Sequence, residues 1–238
     1  MTDTLLRINE GTLAVSERDL EHLRLRYQEN LAYGDHQVGR LLDALRRTGR
    51  FDRTIVIVAA DHGEAFREHG WMLHTTTLYE EMIHVPLVIR FPPRFGRLPA
   101  RWKGVVELRD LVPTLCDALH LTCSVGAERS LLRLMRLRRP PARAARAWTT
   151  DASTIALAAL VTDRDKLVMD ARARRLALYD LASDPGETRN VAPSKPWRAR
   201  RLARRLRAVG EARALAAAGR GVVDDQTARR LRALGYAE

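Results

Sequence analysis

The sequence predicts an α/β fold, and three observations carry that prediction. Residues 54–60 (Thr-Ile-Val-Ile-Val-Ala-Ala) and 85–91 (Val-Pro-Leu-Val-Ile-Arg-Phe) are short apolar runs rich in β-branched residues. Such runs suit strands covered on both faces, as in a parallel sheet between helices. Helical spacing of apolar residues surrounds them at 17–48, 78–83 and 108–121. Helix, strand, helix, strand is the order of an α/β layer structure.

In chain order, Leu20, Leu23, Tyr27, Leu31, Val38, Leu41, Leu42 and Leu45 make 17–48 an amphipathic helix, which Gly49 is placed to stop. Pro92-Pro93 and the stretch from Gly96 to Pro99 form a loop before the helix at 108–121. Residues 122–150 are arginine-rich and are broken by Pro140-Pro141. Segments 155–162, 166–169 and 176–181 read as short antiparallel strands, with turns at Asp163-Arg164 and at 171–174. Asp184-Pro185-Gly186 is a turn by its chemistry. From Trp197 to Leu234 an arginine-rich helical pattern returns, interrupted near Gly219–Gly221. The expected division is an α/β core at 1–125, an arginine-rich linker with an antiparallel subdomain at 126–190, and a helical tail at 191–238.

At 238 residues with 46% hydrophobic side chains, the chain can bury a core. Its net charge of +12 is unevenly placed: 16 Lys/Arg face 17 Asp/Glu through residue 125, and 25 face 12 beyond it. The arginines alternate with Ala and Leu at helical spacing and not with aromatic residues. That pattern indicates solvated helix faces and argues against a nucleic-acid partner. The two cysteines, Cys116 and Cys123, cannot build a disulfide framework; Cys116 sits on an apolar helix pattern as a small core residue. The first twenty residues lack a basic stretch followed by an apolar one, and no run has the length of a membrane span. As it stands the sequence reads as neither exported nor membrane-spanning.

Chemistry concentrates in Asp61-His62-Gly63-Glu64, directly after the first strand, and in Glu68, His69 and His74 of the following loop. Ligands of open α/β sheets bind beyond the carboxyl ends of strands. A carboxylate beside an imidazole suits a divalent cation, and Gly63 permits a sharp turn next to it. A strand-end Asp that caps a helix, with His62 merely packed, is the plainer reading of such a pair. The second cluster weighs against it.

These segments resemble the C-terminal half of bacterial sulfatases. The resemblance rests on Asp61-His62-Gly63-Glu64, Glu68-His69-Gly70, His74, Leu78-Tyr79-Glu80-Glu81 and Val85-Pro86-Leu87-Val88-Ile89-Arg90. It continues in the same order through Asp110-Leu111-Val112-Pro113-Thr114-Leu115, Leu178-Tyr179-Asp180-Leu181 and the stretch from Asp184 to Asn190, and Leu231–Tyr236 is similar to a common ending. The resemblance implies an alkaline-phosphatase-like core of mostly parallel sheet flanked by helices, truncated at the N-terminus, with a small antiparallel C-terminal appendage and a helical tail.

It also implies one divalent cation, calcium before manganese, magnesium or zinc, that polarises a sulfate or phosphate ester. By the same resemblance Asp61 and His62 are metal ligands, and His74 contacts the ester oxygens or protonates the leaving group. His69 and Glu64 are supporting residues, Glu64 at the start of the next helix; Tyr79 packs, and Glu80 pairs within the fold. The family's nucleophile lies in a Cys/Ser-x-Pro/Ala-x-Arg motif upstream, and the residues before Asp61 hold none. Cys116 and Cys123 lack the Arg, and the literal match at Ser194-Lys195-Pro196-Trp197-Arg198 falls after the C-terminal signature, so we read it as accidental.

The expectation is thus a sulfatase-like hydrolase fragment without its nucleophile, inactive alone and prone to associate through exposed strand edges. Full-length relatives of this kind are often exported or membrane-anchored. Close alternatives are a phosphonate or phosphate ester hydrolase and a phosphoglycerol or phosphoethanolamine transferase. An alternative of another class is a non-catalytic protein that holds an anionic polymer on its basic half.

Overall fold

The computed structural model describes residues 2–74, 77–123, 129–151, 154–171 and 173–217. The sequence's expectations for the tail beyond 217, including Leu231–Tyr236, lie outside the described residues. No helix among the described residues is long and apolar enough to cross a membrane.

A short helix α1 (Thr2–Asn9) leads into the long α2 (Glu17–Arg47). Ser16 and Asp19 cap α2 reciprocally, acidic residues fill its first turn and Arg46 and Arg47 its last, so both ends complement the helix dipole. Its apolar row is covered only in part among the described residues, by the cluster around Leu20 and Leu23 and by an edge-on contact of Tyr27 with Phe66. Leu20 is buried, whereas Leu25, Tyr27, Leu31 and Leu41 are exposed.

Strands β1 (Val56–Ala59) and β4 (Leu87–Arg90) pair with each other, antiparallel, with Val56 opposite Arg90 and Ala59 opposite Leu87. The mixed helix-and-sheet arrangement is that of a truncated α/β domain, as expected. What is corrected, among the described residues, is the parallel character read from these two runs, since they pair with each other antiparallel. Between them stand only the two-residue strands β2 (Ala65–Phe66) and β3 (Met72–Leu73) and the four-residue α3 (Glu80–Ile83). Among the described residues no helix long enough for a crossover lies between them, which accords with the antiparallel pairing. Nor are the two strands fully covered: the opposed Val58 and Val88 are 40% and 62% exposed.

A small cluster of Ile8, Leu20 and Met72 joins α1 and α2 to the β2–β3 hairpin, and the Asn9 side chain bonds both the N–H and the carbonyl of Met72.

Beyond β4, α4 (Leu111–Leu119) and α5 (Leu131–Arg136) pack together. Cys116 and Cys123 are joined in a disulfide, in place of the free core thiol expected at Cys116. The arginine-rich segment is not a solvated helix face throughout. Arg129 and Arg143 pair with the fully buried Asp110, and Arg146 approaches Glu107. A buried carboxylate needs a cation, and these arginines fix the start of α4 against the segments at 129–130 and 143–146.

β5 (Ala144–Asp151), β6 (Thr154–Thr162), β7 (Asp165–Asp170) and β8 (Arg175–Asp180) form an antiparallel meander in that order. The three later strands fall where the sequence places them, and β5 is an addition. Helix α6 (Pro196–Ala217) lays Ala199, Leu202, Ala203 and Leu206 on one face of this sheet, against Ala158, Leu160, Leu167 and Leu178. Their i, i+3, i+4, i+7 spacing is that of a single helix stripe. Alternation along a strand turns Lys166 and Tyr179, which are opposed in register, to the other face. There they meet Glu80 and Tyr79.

The fully buried Leu167, opposite Leu178, is the test of this core. Leu167→Ala should cost about 2–5 kcal/mol in urea unfolding. Trp197→Ala, at an exposed position on α6, should change stability by no more than about 0.5 kcal/mol.

Candidate functional site

The site is built on the segment from Ala60 to Pro86 that leaves β1 and returns to β4. Asp61 and His62 follow β1 directly, beyond its carboxyl end. Asp61 accepts a hydrogen bond from its neighbour's backbone, His62 N, at 3.0 Å, and its side chain is otherwise open to solvent, 73% exposed. The Nδ1 of His62 lies 2.9 Å from the Gly63 carbonyl. A carbonyl only accepts, so Nδ1 carries a proton, and in the neutral imidazole Nε2 keeps its lone pair. That lone pair is 3.7 Å from an Asp61 carboxylate oxygen, too far for a hydrogen bond.

His74, immediately after β3, stacks on His62 with ring centroids 4.4 Å apart and planes 19° from parallel. Its Nδ1 lies 3.0 Å from Glu64 Oε2, which fixes the proton on Nδ1 and leaves Nε2 available. The expectation that Glu64 stabilises a helix start is therefore corrected. The chain at 65–66 is strand β2, and the carboxylate orients His74 instead. Leu73, just before His74, has φ +72°, a left-handed conformation that costs a non-glycine residue about 1–3 kcal/mol.

His69 stands apart from this group. Its Nδ1 is 2.8 Å from Glu81 and its Nε2 3.1 Å from the Gly186 carbonyl, while its ring stacks on Tyr79 at 3.6 Å. It links the loop, α3 and the C-terminal turn. Gly63 also differs from expectation in its reason. It has no positive φ; it is glycine because a Cβ there would sit 1.9 Å from the Glu81 carbonyl oxygen. Its N–H donates to Met82 O at 2.8 Å, so the loop lies directly on α3.

α3 is in turn held from the C-terminal sheet. Glu187 Oε2 accepts from Glu80 N at 2.7 Å, and the buried Lys166 reaches Glu187 at 2.9 Å and Glu80 at 3.2 Å. Sequence reasoning did not single out Lys166. Its signal was a lone lysine between Asp165 and the apolar Leu167-Val168-Met169, at a position where alternation demands burial. Burial pushes the Glu187 carboxyl up, against the opposing pull of Lys166. The Asp184 carboxyl is held low by the backbone N–H groups of Arg189 and Thr188, which fixes the turn that presents Glu187.

Among the described residues, no three His, Cys, Asp or Glu side chains converge closely enough to hold a metal ion together. Asp61 and His62 nevertheless fit part of a coordination shell: an exposed carboxylate and an imidazole lone pair stand on one loop, neither engaged by a Lys or Arg among the described residues. Of the other candidates for a nucleophile, Cys116 is in a disulfide, and Ser194 donates to the Val191 carbonyl in the turn before α6.

The sulfatase family model matches residues 7–121, the part of the chain that holds this site. An arylsulfatase of Clostridium perfringens is 28% identical over 193 residues, covering 78% of this chain and 39% of that relative. Arylsulfatase K of Bos taurus is 29% identical over 215 residues, covering 82% of this chain and 38% of its own. The solved phosphonate monoester hydrolase of Agrobacterium radiobacter is similar at 30% identity with a TM-score of 0.65, over 82% of this chain and 42% of that one. The chain spans about two-fifths of the length of the curated relatives it matches.

The contact between Gly63 and α3 generates a paired expectation. Gly63→Ala should destabilise by about 1–3 kcal/mol, because its Cβ meets backbone that must move. Gly39→Ala, within α2 with open space around its Cβ position, should stabilise by about 0.4–1 kcal/mol. Equal tolerance at both positions in urea titrations would show that the loop does not rest on α3 in solution.

Proposed function

The chain belongs to the sulfatase family, with that family's alkaline-phosphatase-like α/β fold, and we propose that it is the C-terminal portion of a metal-dependent sulfuric-ester hydrolase. The observation that carries the reading is the group formed by Asp61, His62 and His74 beyond the end of β1. There two imidazoles stack face to face with their Nδ1 protons already committed.

In this reading the Asp61 carboxylate and His62 Nε2 would hold a divalent cation. Calcium is placed before manganese, magnesium or zinc on the family resemblance alone, since an imidazole nitrogen is not an oxygen ligand of the kind calcium takes. When bound, the cation polarises the ester and favours ionisation of the attacking group. The chain's own residues do the rest. Gly63 O holds the His62 ring in the tautomer that presents Nε2. Glu64 orients His74, so that Nε2, when protonated, can meet an ester oxygen or give its proton to the leaving group.

The nucleophile and the remaining ligands are assigned to the part of the relatives that extends beyond this chain. The exposed Leu31 and Leu41 of α2 and the open faces at Val58 and Val88 support that assignment, since they are apolar side chains that such a part would cover. The 30% identity to a phosphonate monoester hydrolase favours one second reading, in which the ester is a phosphonate or phosphate.

Calorimetry with calcium or manganese chloride should detect weak binding to the chain, diminished by His62→Ala; tight binding indifferent to that change would place the site elsewhere. A chromogenic aryl sulfate should not turn over on the chain alone, whatever metal is added, because positioning and metal cannot replace a nucleophile. Hydrolysis abolished by Ser194→Ala would overturn the assignment of the nucleophile to another segment. Hydrolysis abolished only by Asp61→Asn would show that metal-activated water suffices.

A further inference from the structure

We propose that Lys166 is a positioning residue for the metal-binding pair, acting from the C-terminal sheet through Glu187, Glu80 and α3 on the backbone of Gly63. The proposal rests on the reading that Asp61 and His62 hold the cation, and it adds a remote part of the chain to that site.

Lys166 is fully buried on β7, on the face of the sheet away from α6. An ammonium group removed from water costs several kcal/mol unless it is paired and hydrogen-bonded, so its position is dictated by its carboxylates. Two are present: Glu187, also fully buried, at 2.9 Å, and Glu80 at 3.2 Å. The arrangement is directional in a way that an apolar contact would not be. Glu187 uses one oxygen on the Glu80 backbone N–H, the first of α3, and Lys166 decides which way that carboxylate faces.

From α3 the coupling continues without a gap. The Met82 carbonyl accepts from Gly63 N at 2.8 Å, and the Glu81 carbonyl occupies the space that any side chain at position 63 would need. The Gly63 carbonyl then accepts from His62 Nδ1. A second tether runs beside the first, from Gly186 through His69 to Glu81. Glu187 itself has φ +52°, so the turn that carries it is a set geometry and not a slack loop. Its three acceptor contacts, from Thr188 N, Thr188 Oγ1 and Arg189 N to Asp184, hold it in place. Without Lys166, burial and the nearby Glu80 carboxylate favour the neutral acid of Glu187 against the Glu80 backbone N–H alone, and the neutral acid has no charge to aim at the start of α3.

The test compares Lys166→Met and Lys166→Arg with the wild-type chain by amide hydrogen exchange and by calorimetry with calcium chloride. In Lys166→Met, exchange at Gly63 should quicken about tenfold or more while Leu160, in the sheet core, keeps its wild-type rate. Calcium affinity should fall about tenfold, the lower end of what loss of a supporting partner costs a metal site. Lys166→Arg, which keeps the charge, should restore part of both. Uniformly faster exchange at Gly63 and Leu160 together, or unchanged exchange at Gly63, would overturn the proposal and leave Lys166 a structural residue. A wild-type chain that binds no calcium would sink the metal reading, while the Gly63 exchange rates would still decide the positioning role. Should Lys166→Met not fold, Glu80→Gln carries the same comparison from a side chain that is 23% exposed, with faster exchange confined to Gly63 supporting the coupling and an unchanged rate refuting it.

Discussion

Lys166 is withdrawn from water between Glu187 and Glu80, and this buried cation with its two carboxylates is the constraint on which the rest of the chain depends. A charge in that position tolerates little displacement, because the attraction that offsets its lost hydration falls away as soon as the geometry relaxes. β7 is consequently covered on both sides. Leu167 faces the α6 stripe, and Lys166 faces the helix that supports the catalytic-type loop. The four-stranded sheet is therefore more than an appendage. It sets the height of α3, and α3 sets the backbone from which Asp61 and His62 project.

Most of the architecture was legible where a single physical pattern dominates. The extent of α2 follows from a clear apolar period and the Gly49 stop; β1 and β4 follow from their aliphatic runs, and β6 to β8 from short apolar runs between turn residues. What was obscured lay where composition hides pairing. β5 reads as part of an arginine-rich segment until Asp110 and Glu107 are seen to draw Arg129, Arg143 and Arg146 inward. Strand direction was equally hidden, since β1 and β4 carry the same aliphatic character whether their neighbours run parallel or antiparallel.

The site divides in the same way. Asp61, His62 and His74 could be grouped from the motif order, and the structure brings the last two into ring contact. The partners of the histidines could not be read, because Glu64, Glu68 and Glu81 are interchangeable in sequence. Only the folded hairpin at 65–73 gives Glu64 to His74 and Glu81 to His69, while Glu68 accepts from the Phe66 backbone instead. Gly63 was correctly marked as special, but for its turn. Its cause is the close approach of α3, a contact between residues eighteen positions apart that no local pattern encodes.

In the proposed reading Asp61 and His62 would hold a divalent cation, with His74 stacked on His62 beside them. Titrating the isotopically labelled chain with manganese, whose unpaired electrons broaden nuclear resonances nearby, tests that placement directly. Substoichiometric manganese should erase the imidazole signals of His62 and His74 first, leaving those of His22 and His36 on α2 sharp, and Asp61→Asn should weaken the effect. Broadening that begins at the acidic residues of α2, or that survives Asp61→Asn unchanged, would contradict it.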